Sequence, residues 1–524
     1  MLATDIPRAF GGVDWLLVAG CILALLGIGL YYGRKQRTTE EYFVAGRNRR
    51  SFVPGISLVA ALFTLVAYIG NPGELVQHGP ILLGTAIVAI PFACVIVGWF
   101  LIPFIMRLPI TSAYELLEGR LGRPVRLLTS GTFVLLRLVW MSLILYTAAI
   151  VLVHVMDCDP RWVPAFAAGV GLVATFYTLV GGIDAVMLTS VLEFFLLLLG
   201  ALLTLISITV RMGGVAAWWP HHWAPHWAPQ PFFSLDPHVR VTVVGTFVAY
   251  VISAVCVAGS DQVAIQRFLT TRDVATARRA YIFGAVGVAS LLLTLTLVGT
   301  ALLGFYLHLP GGLPAGLSLT RAGDAFFPHY ISHYLPPGIS GLLVSALVAS
   351  AVSGLSPGIN SVVTVLAKDF LGFRAAQPEA AKLRDARLLS LLTGAAVIGG
   401  SQLMGSIGGD LVEVSGKSIN IFFYPMFGIF FLAMFVRFAT PCGAVLGAIY
   451  SLSAGILVGY WDVLTGLPRI SFQWIAPISF ATSLICGCLF SLLPTRGKPK
   501  GVVAGYFMTG IALLAVIVRL ILRR

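Results

Sequence analysis

The chain has 524 residues, of which 58% are hydrophobic and only 10% are charged. A soluble domain of this length could not keep so much apolar surface from water, so the composition excludes it and indicates a polytopic membrane protein. The net charge is +13, but the basic residues lie between apolar runs. The charge therefore requires no nucleic-acid partner.

Apolar runs long enough to cross a bilayer follow one another along the chain. A spanning helix needs about 20 apolar residues, and the runs predict about fourteen helices. The predicted spans are 13–32, 53–77, 80–106, 125–155, 161–181, 185–210, 240–260, 277–307, 338–367, 386–408, 411–436, 441–460, 473–494 and 502–522. The sequence thus predicts an all-α protein with one transmembrane domain over residues 1–524.

Basic residues cluster in alternate loops between these spans. The loop before the second span contains Arg34, Lys35, Arg37, Arg47, Arg49 and Arg50. Since cytoplasmic loops collect Lys and Arg, this pattern predicts that the N-terminus lies outside. An even number of spans leaves the basic end "RLILRR" outside too, so either that end departs from the rule or the count is wrong by one helix. The absence of an N-x-S/T sequon favours a bacterial inner membrane.

Two stretches depart from the apolar pattern. In "SALVASAVSGLSPGINSVVTVLAKDF", the hydroxyls of Ser350, Ser353 and Ser356 share one helical face. The "GNPG" at 70–73 interrupts another apolar run and predicts a broken helix, which is typical of transporter binding sites. Hydroxyls opposite unwound carbonyls would suit a hard cation such as sodium. The alternative is helix packing through small residues.

Ionisable residues within the predicted spans are candidates for function, because a charge inside a bilayer is costly. Arg137 lies in "FVLLRLVWMSLILY" and could hold a carboxylate through two hydrogen bonds, or it could be buried for structure. Lys417 follows Glu413 by four residues on the same helical face. An internal ion pair, an anion contact and a lysine in place of a coupling cation are the three interpretations of Lys417.

Several motifs resemble those of the sodium/solute symporter family, in order from about residue 40 to 455. They are "EEYFVAGRNRRSFVPGISLVAA", "FYTLVGGIDAVMLTSVLEFFLLLLG", "GSDQVAIQRFLTTRDVATARRA" and "GLLVSALVASAVSGLSPGINSVVTVLAKDFL". "NPGELVQHG" most resembles the iodide and monocarboxylate branch. The resemblance implies a LeuT-type fold with two five-helix inverted repeats. We place these repeats at 53–210 and 240–436, between a peripheral first helix at 13–32 and peripheral C-terminal helices at 441–522.

The resemblance also implies a sodium site between the first and the eighth core helices. By position, its ligands would be the carbonyl oxygens of Ala60, Phe63 and Ser350 and the hydroxyl of Ser353. The next position, usually Ser or Thr in the family, is Gly354 here, and Ser356 could supply the missing oxygen. Sodium is then the coupling ion and no other cofactor is expected.

The acidic residue of the family signature is replaced in this sequence. Its position is Ser190 here, and the glutamine that follows in the family is Glu193. The carboxylate near the sodium route is therefore absent, and another one lies three residues away. Glu193 is a candidate coupling residue, and Glu413 is a second one.

The positions that contact sugar in the galactose branch are apolar here. They are Ala67, Ile87, Ile90 and Ala254, and the inner aromatic gate falls on Val257. Since none of them can hydrogen-bond to hydroxyls, a sugar is a poor fit and a solute with an apolar body is favoured. Arg137 and Lys417 complete the predicted substrate-binding set.

The sequence predicts sodium-coupled secondary active symport of a small organic anion or amphipathic solute by alternating access. No nucleotide loop, catalytic triad or metal cluster is present in the sequence, so an enzyme is not expected. The expected partners are the solute and the lipid bilayer, with the protein a monomer or weak oligomer. One alternative is a proton-coupled or uncoupled carrier of the same fold, and another is a nutrient sensor or receptor that retains the transporter fold.

Overall fold

The structure is a computed structural model that describes most of the chain. The described residues are 11–33, 51–63, 65–107, 113–156, 158–228, 231–310, 312–314, 316–321, 323–371, 379–405, 411–493 and 500–522. Within these ranges the regular secondary structure is helical, and no strand occurs. The prediction of an all-α protein is confirmed.

Seventeen helices of eight or more residues account for most of the described chain. In the first half they are α1 (Gly12–Gly33), α2 (Phe52–Leu62), α3 (Leu65–His78), α4 (Ile81–Met106), α5 (Ala113–Leu121), α6 (Arg123–Val155) and α7 (Val163–Met212). In the second half they are α8 (Val243–Ser260), α9 (Gln262–Leu269), α10 (Val274–Leu307), α11 (Gly323–His333), α12 (Ile339–Phe370), α13 (Glu379–Met404), α14 (Leu411–Phe435), α15 (Pro441–Gly459), α16 (Ile475–Ser491) and α17 (Lys500–Leu522). Short helical turns lie at Pro160–Trp162, Val215–Trp218, Trp461–Thr465 and Phe472–Trp474.

The number of membrane-length helices agrees with the sequence. In the described ranges, 12 helical segments are long and apolar enough to cross a membrane, and the bent pair of α2 and α3 makes up to 13. The apolar part of α1, Gly12–Ile28, is shorter. Counting it as well gives the predicted total of about fourteen spans.

Helix α7 covers most of two membrane-length segments, Pro160–Leu179 and Leu188–Met212, which correspond to the predicted spans 161–181 and 185–210. The hydroxyl of Tyr177 in the first lies 3.1 Å from Thr189 Oγ1 in the second. In a straight helix these residues would be about 18 Å apart along the axis, beyond the reach of their side chains. The backbone of α7 therefore bends sharply between its two spans.

Two groups of helices pack on either side of the second span of α7. Helices α6, α12, α13 and the first span of α7 form one group, and α2, α3, α4, α8 and α10 form the other. The second span of α7 contacts both, because Gly200 lies against Leu343 of α12 while Phe194 lies against Gly287 of α10. This span therefore connects the two groups.

The helix break in the 53–77 span lies at Phe63, not at 70–73. Helix α2 ends at Leu62, Phe63 takes the non-helical angles φ −92° and ψ 87°, and α3 begins at Leu65 with a bend of 63°. Helix α3 then runs through Pro72 without interruption. The prediction of a break at 70–73 is wrong.

Close helix packing explains the glycines at 70–73. A Cβ atom on Gly73 would lie 2.7 Å from Asp324 Oδ1 of α11, and one on Gly70 would lie 3.3 Å from Leu411 Cβ of α14. Small residues at such contacts let helix backbones approach each other in membranes. Here the two glycines let α3 pack closely against α11 and α14.

The carboxylate of Asp14 joins α1 to the start of α12. Its Oδ1 accepts hydrogen bonds from the backbone N–H groups of Gly338 and Gly341, both at 2.8 Å, and from the hydroxyl of Ser340 at 2.9 Å. Asp14 is buried. A negative charge at the first turn of a helix accepts hydrogen bonds from N–H groups that have no partner within the helix, and it interacts favourably with the helix dipole.

We expect Asp14→Ala to lower the free energy of unfolding by about 2–3 kcal/mol, because three donors at a buried helix end lose a charged acceptor. Thermal and chemical unfolding of the purified protein measure this change. The control is Asp159→Ala, since Asp159 caps only the short turn at Pro160–Trp162 and is exposed. Equal losses in the two variants would contradict the role given to Asp14.

Candidate cation site and solute cavity

A carboxylate without a hydrogen-bond partner lies in the interior of the helix bundle. Glu193, on the second span of α7, is 2% exposed, and neither of its carboxylate oxygens has a hydrogen-bond partner among the described residues. The hydroxyls of Ser350 and Ser353 on α12 face it. The Ser350 hydroxyl is also buried without a partner. Burying an ionised carboxylate without a cationic partner costs free energy, so we expect a cation or a proton to neutralise Glu193.

The serines on one face of α12 contact different spans of α7. Ser353 Oγ lies 3.1 Å from Ser190 Oγ on the second span, one helical turn from Glu193. Ser356 Oγ instead lies 2.9 Å from Thr178 Oγ1 on the first span and donates its proton to Val352 O. The structure brings Ser350, Ser353 and Glu193 together. The role of Ser356 as a sodium ligand stays a prediction.

The end of α2 supplies the backbone part of the predicted sodium site. Helix α2 packs against α12, and both Ala60 and Phe63 are buried. The last carbonyl groups of a helix lack intrahelical donors, so a helix that stops at Leu62 leaves oxygens able to bind a cation. Carboxylate, hydroxyl and carbonyl oxygens are the ligands of hard cations. Sodium binding at these residues stays a prediction.

A cavity of about 240 Å³ lies between α2, α4, α8 and α10. Three of the seven predicted substrate residues line it, Ile90, Ala254 and Val257, and so does Phe63, which was predicted as a sodium ligand. Four others, Ala67, Ile87, Arg137 and Lys417, are not part of its lining. The sequence did not identify the polar side chains that line it, Cys94, Tyr250, Ser253 and Tyr281. No charged side chain lines this cavity in the described part of the chain.

The guanidinium of Arg137 is paired with a carboxylate. Arg137 forms a buried ion pair with Asp261, the residue between α8 and α9. The other oxygen of Asp261 accepts a hydrogen bond of 2.8 Å from the backbone N–H of Val263, at the start of α9. The structure thus shows the arrangement expected of an arginine buried for structure. Substrate contact by Arg137 stays a prediction.

Lys417 is also paired. Its Nζ lies 2.8 Å from Glu413 Oε1, and Arg469 Nη1 lies 3.3 Å from the same oxygen. The structure therefore shows the internal Glu413–Lys417 pair that the sequence left as one of three interpretations. Glu413 is buried and contacts two cations. Its role in coupling stays a prediction.

We expect a serine at position 354 to increase sodium affinity. A Cβ atom on Gly354 would lie 3.5 Å from Ile144 Cδ1, an ordinary van der Waals contact, so the helix has room for a small side chain. Gly354→Ser adds the hydroxyl that the family position usually carries, and Gly354→Ala adds only a methyl group. Sodium titrations of thermal stability should show tighter binding in Gly354→Ser alone. The same sodium affinity in both variants would contradict a shortage of oxygen ligands.

We expect Asp261→Asn to destabilise the protein by about 3–5 kcal/mol, because Arg137 keeps a buried charge without its partner. The double variant Arg137→Met/Asp261→Asn should recover part of this loss, since it removes the unpaired charge of Arg137, while the buried Arg267 keeps its hydrogen bonds to Ser57 and Val263 O. Unfolding measurements on both variants check the prediction.

The exposed pair Arg272–Asp273 provides the control, and Asp273→Asn should change stability by at most about 1 kcal/mol. A double variant that is no more stable than Asp261→Asn would show that charge burial is not the cause.

Comparisons with known proteins agree with this geometry. The model of the sodium:solute symporter family matches residues 42–451. The sodium/sialic acid symporter of Aliivibrio fischeri is 27% identical over 461 residues, covering 86% of this chain and 88% of the relative. Human sodium-coupled monocarboxylate transporter 1 is 26% identical over 470 residues, covering 87% of this chain and 74% of the relative.

The solved structures include a similar protein. A Na+-coupled sialic acid symporter in a substrate-bound outward-open state superimposes with a TM-score of 0.76 at 25% identity, covering 93% of this chain and 99% of that chain. The repeat boundaries at 53–210 and 240–436 stay a prediction. The family match and the helical architecture together show that this chain belongs to the sodium:solute symporter family and has its LeuT-type fold.

Proposed function

We propose that this protein is a sodium-coupled symporter of a small amphipathic solute with an apolar body. The proposal depends on the buried Glu193 carboxylate, which forms no ion pair with a described residue and faces the hydroxyls of Ser350 and Ser353. A sodium ion there would neutralise a buried charge and receive oxygen ligands. The relatives are sodium-coupled transporters by name and not enzymes.

Glu193 lies close to the position where the family has its acidic residue. Ser190 occupies the position of the family's acidic residue and contacts Ser353 at 3.1 Å. Residues three apart share a helical face, so Glu193 lies on the same face of α7 one turn further along. We propose that its carboxylate replaces the missing acid as the negative charge of the sodium site.

The end of α2 couples the proposed sodium site to the cavity. Val59 and Phe63 line the cavity, and Ala60, between them, is a predicted sodium ligand. A Cβ atom on Gly287 would lie 3.0 Å from Val59 Cγ2 and 3.3 Å from Phe194 Cε2, so Val59 and Phe194, the residue next to Glu193, pack at the same glycine of α10. A cation that fixes this helix end also fixes one wall of the cavity. Sodium and solute then favour the same conformation, which is the requirement for symport by alternating access.

The cavity favours an amphipathic solute over an organic anion. Its lining is apolar apart from a few hydroxyls and a thiol, and it has no cationic side chain among the described residues. The anion part of the prediction depends on Arg137 and Lys417, which are paired with Asp261 and Glu413. An unpaired anion would be costly to bury there.

The family and its many apolar helices make this an integral membrane protein. We place it in a bacterial inner membrane with the N-terminus outside, supported by the basic loops and the bacterial relatives. A monomer or weak oligomer stays our expectation.

A proton-coupled carrier is the second candidate, because a proton on Glu193 would also remove the buried charge. The two candidates differ in the ion that stabilises the folded protein.

We expect sodium, but not potassium or choline, to raise the thermal stability of the purified protein with saturation. A ligand of the folded state at 100 times its Kd adds about 2.7 kcal/mol. Ser353→Ala and Glu193→Gln should abolish the sodium response. Ser345→Ala is the matched control, because Ser345 lies on the same helix and its hydroxyl donates to Gly341 O within that helix.

The measurement is made at two pH values. A pH-dependent stability that is lost in Glu193→Gln, without any sodium response, would support the proton-coupled carrier instead. Stability that depends on neither ion would contradict coupling through Glu193.

A further inference from the structure

The cavity contains hydrogen-bond donors that the predicted substrate residues do not account for. Tyr250 on α8, Ser253 on α8 and Tyr281 on α10 line it together with Cys94 on α4. The rest of the lining is apolar. These side chains are the polar groups that a bound solute can contact, so their hydrogen bonds decide which solutes are recognised.

The proton of Ser253 is already used. Its hydroxyl donates to Ala249 O at 2.7 Å, one turn earlier on α8. A serine hydroxyl has a single proton, so the 2.8 Å contact with the Tyr424 hydroxyl must have Tyr424 as its donor. Ser253 therefore has no proton left for a solute.

The two cavity phenols have free protons. Neither the Tyr250 hydroxyl nor the Tyr281 hydroxyl hydrogen-bonds to a described residue, and both side chains are half-buried. The Tyr281 ring is fixed by an edge contact with Phe268, with 6.0 Å between ring centroids. The lining thus offers two free O–H donors, from different helices, in an otherwise apolar cavity.

We propose that Tyr250 and Tyr281 determine specificity by donating hydrogen bonds to a carbonyl oxygen on the solute. This inference rests on the proposed function, since it takes the cavity as the solute site. The apolar lining contacts the body of the solute, and the phenols fix its polar end. A solute without an acceptor leaves both donors unpaired on binding and is disfavoured.

Protection of Cys94 from alkylation tests the inference directly. Cys94 lines the cavity, and Cys158 is a half-buried cysteine outside it that serves as the internal reference. The purified full-length protein is treated with N-ethylmaleimide, and peptide mass spectrometry follows each cysteine. Pentanamide, pentanoate and pentylammonium are the probes, because each has a chain of five carbon atoms and a different polar end.

We expect pentanamide to slow alkylation of Cys94 and not of Cys158, and pentylammonium to have no effect. Pentanoate should protect less than pentanamide, because no cationic side chain of the described lining neutralises its charge. Tyr250→Phe and Tyr281→Phe each remove one O–H group and should raise the half-protecting concentration about fivefold. Tyr450→Phe is the control, because Tyr450 contacts Phe490 and does not line the cavity.

Three results would overturn the inference: equal protection by pentylammonium, unchanged protection in both phenylalanine variants, or no protection by any probe. Equal protection by all probes would indicate an apolar cleft for lipid or detergent. The readout requires neither transport nor sodium, so it separates this inference from the symport proposal. If sodium does not stabilise the protein, protection of Cys94 still tests the role of the two tyrosines. If sodium does stabilise it but the tyrosine variants leave protection unchanged, only the present inference is overturned.

Discussion

The burial of one carboxylate among hydroxyls determines where this helix bundle can bind a cation. Glu193 is enclosed by the second span of α7 and by α12, and its oxygens have no hydrogen-bond partner in the described chain. Other buried charged side chains among the described residues have ion-pair or hydrogen-bond partners, as in the Arg137–Asp261 and Glu74–Arg240 pairs and the hydrogen bonds of Asp14 and Arg267. Within the described ranges Glu193 lacks a cationic partner, and it lies beside Ser350 and Ser353, which is why we propose a cation there.

The arrangement of the helices explains how such a site could act on a solute. The second span of α7 contacts both helix groups, and the break at Phe63 separates α2 from α3 where α2 borders the cavity. A cation at this junction therefore contacts elements from both groups. Its binding energy can favour one relative position of the groups, which is what coupling requires.

Local patterns in the sequence predicted much of the fold and part of the site. The apolar runs predicted the helices. The spacing of four residues between Glu413 and Lys417 indicated that the two side chains could pair. The break at 70–73 was misplaced because Gly and Pro give the same local signal for close packing as for an interrupted helix. The Arg137–Asp261 pair joins residues 124 positions apart, and Tyr250 and Tyr281 look like other aromatic residues of a span. Such contacts depend on tertiary packing, which no single-sequence pattern contains.

Relocating the carboxylate tests whether Glu193 supplies the negative charge of the sodium site. Sodium-dependent thermal stability should be lost in Glu193→Gln and should return in Ser190→Asp/Glu193→Gln, which moves the acid to the family position beside Ser353. Ser190→Asn/Glu193→Gln is the matched control without the charge and should stay unresponsive. A sodium response that survives in Glu193→Gln, or that does not return with Ser190→Asp, would contradict a cation site built on this carboxylate.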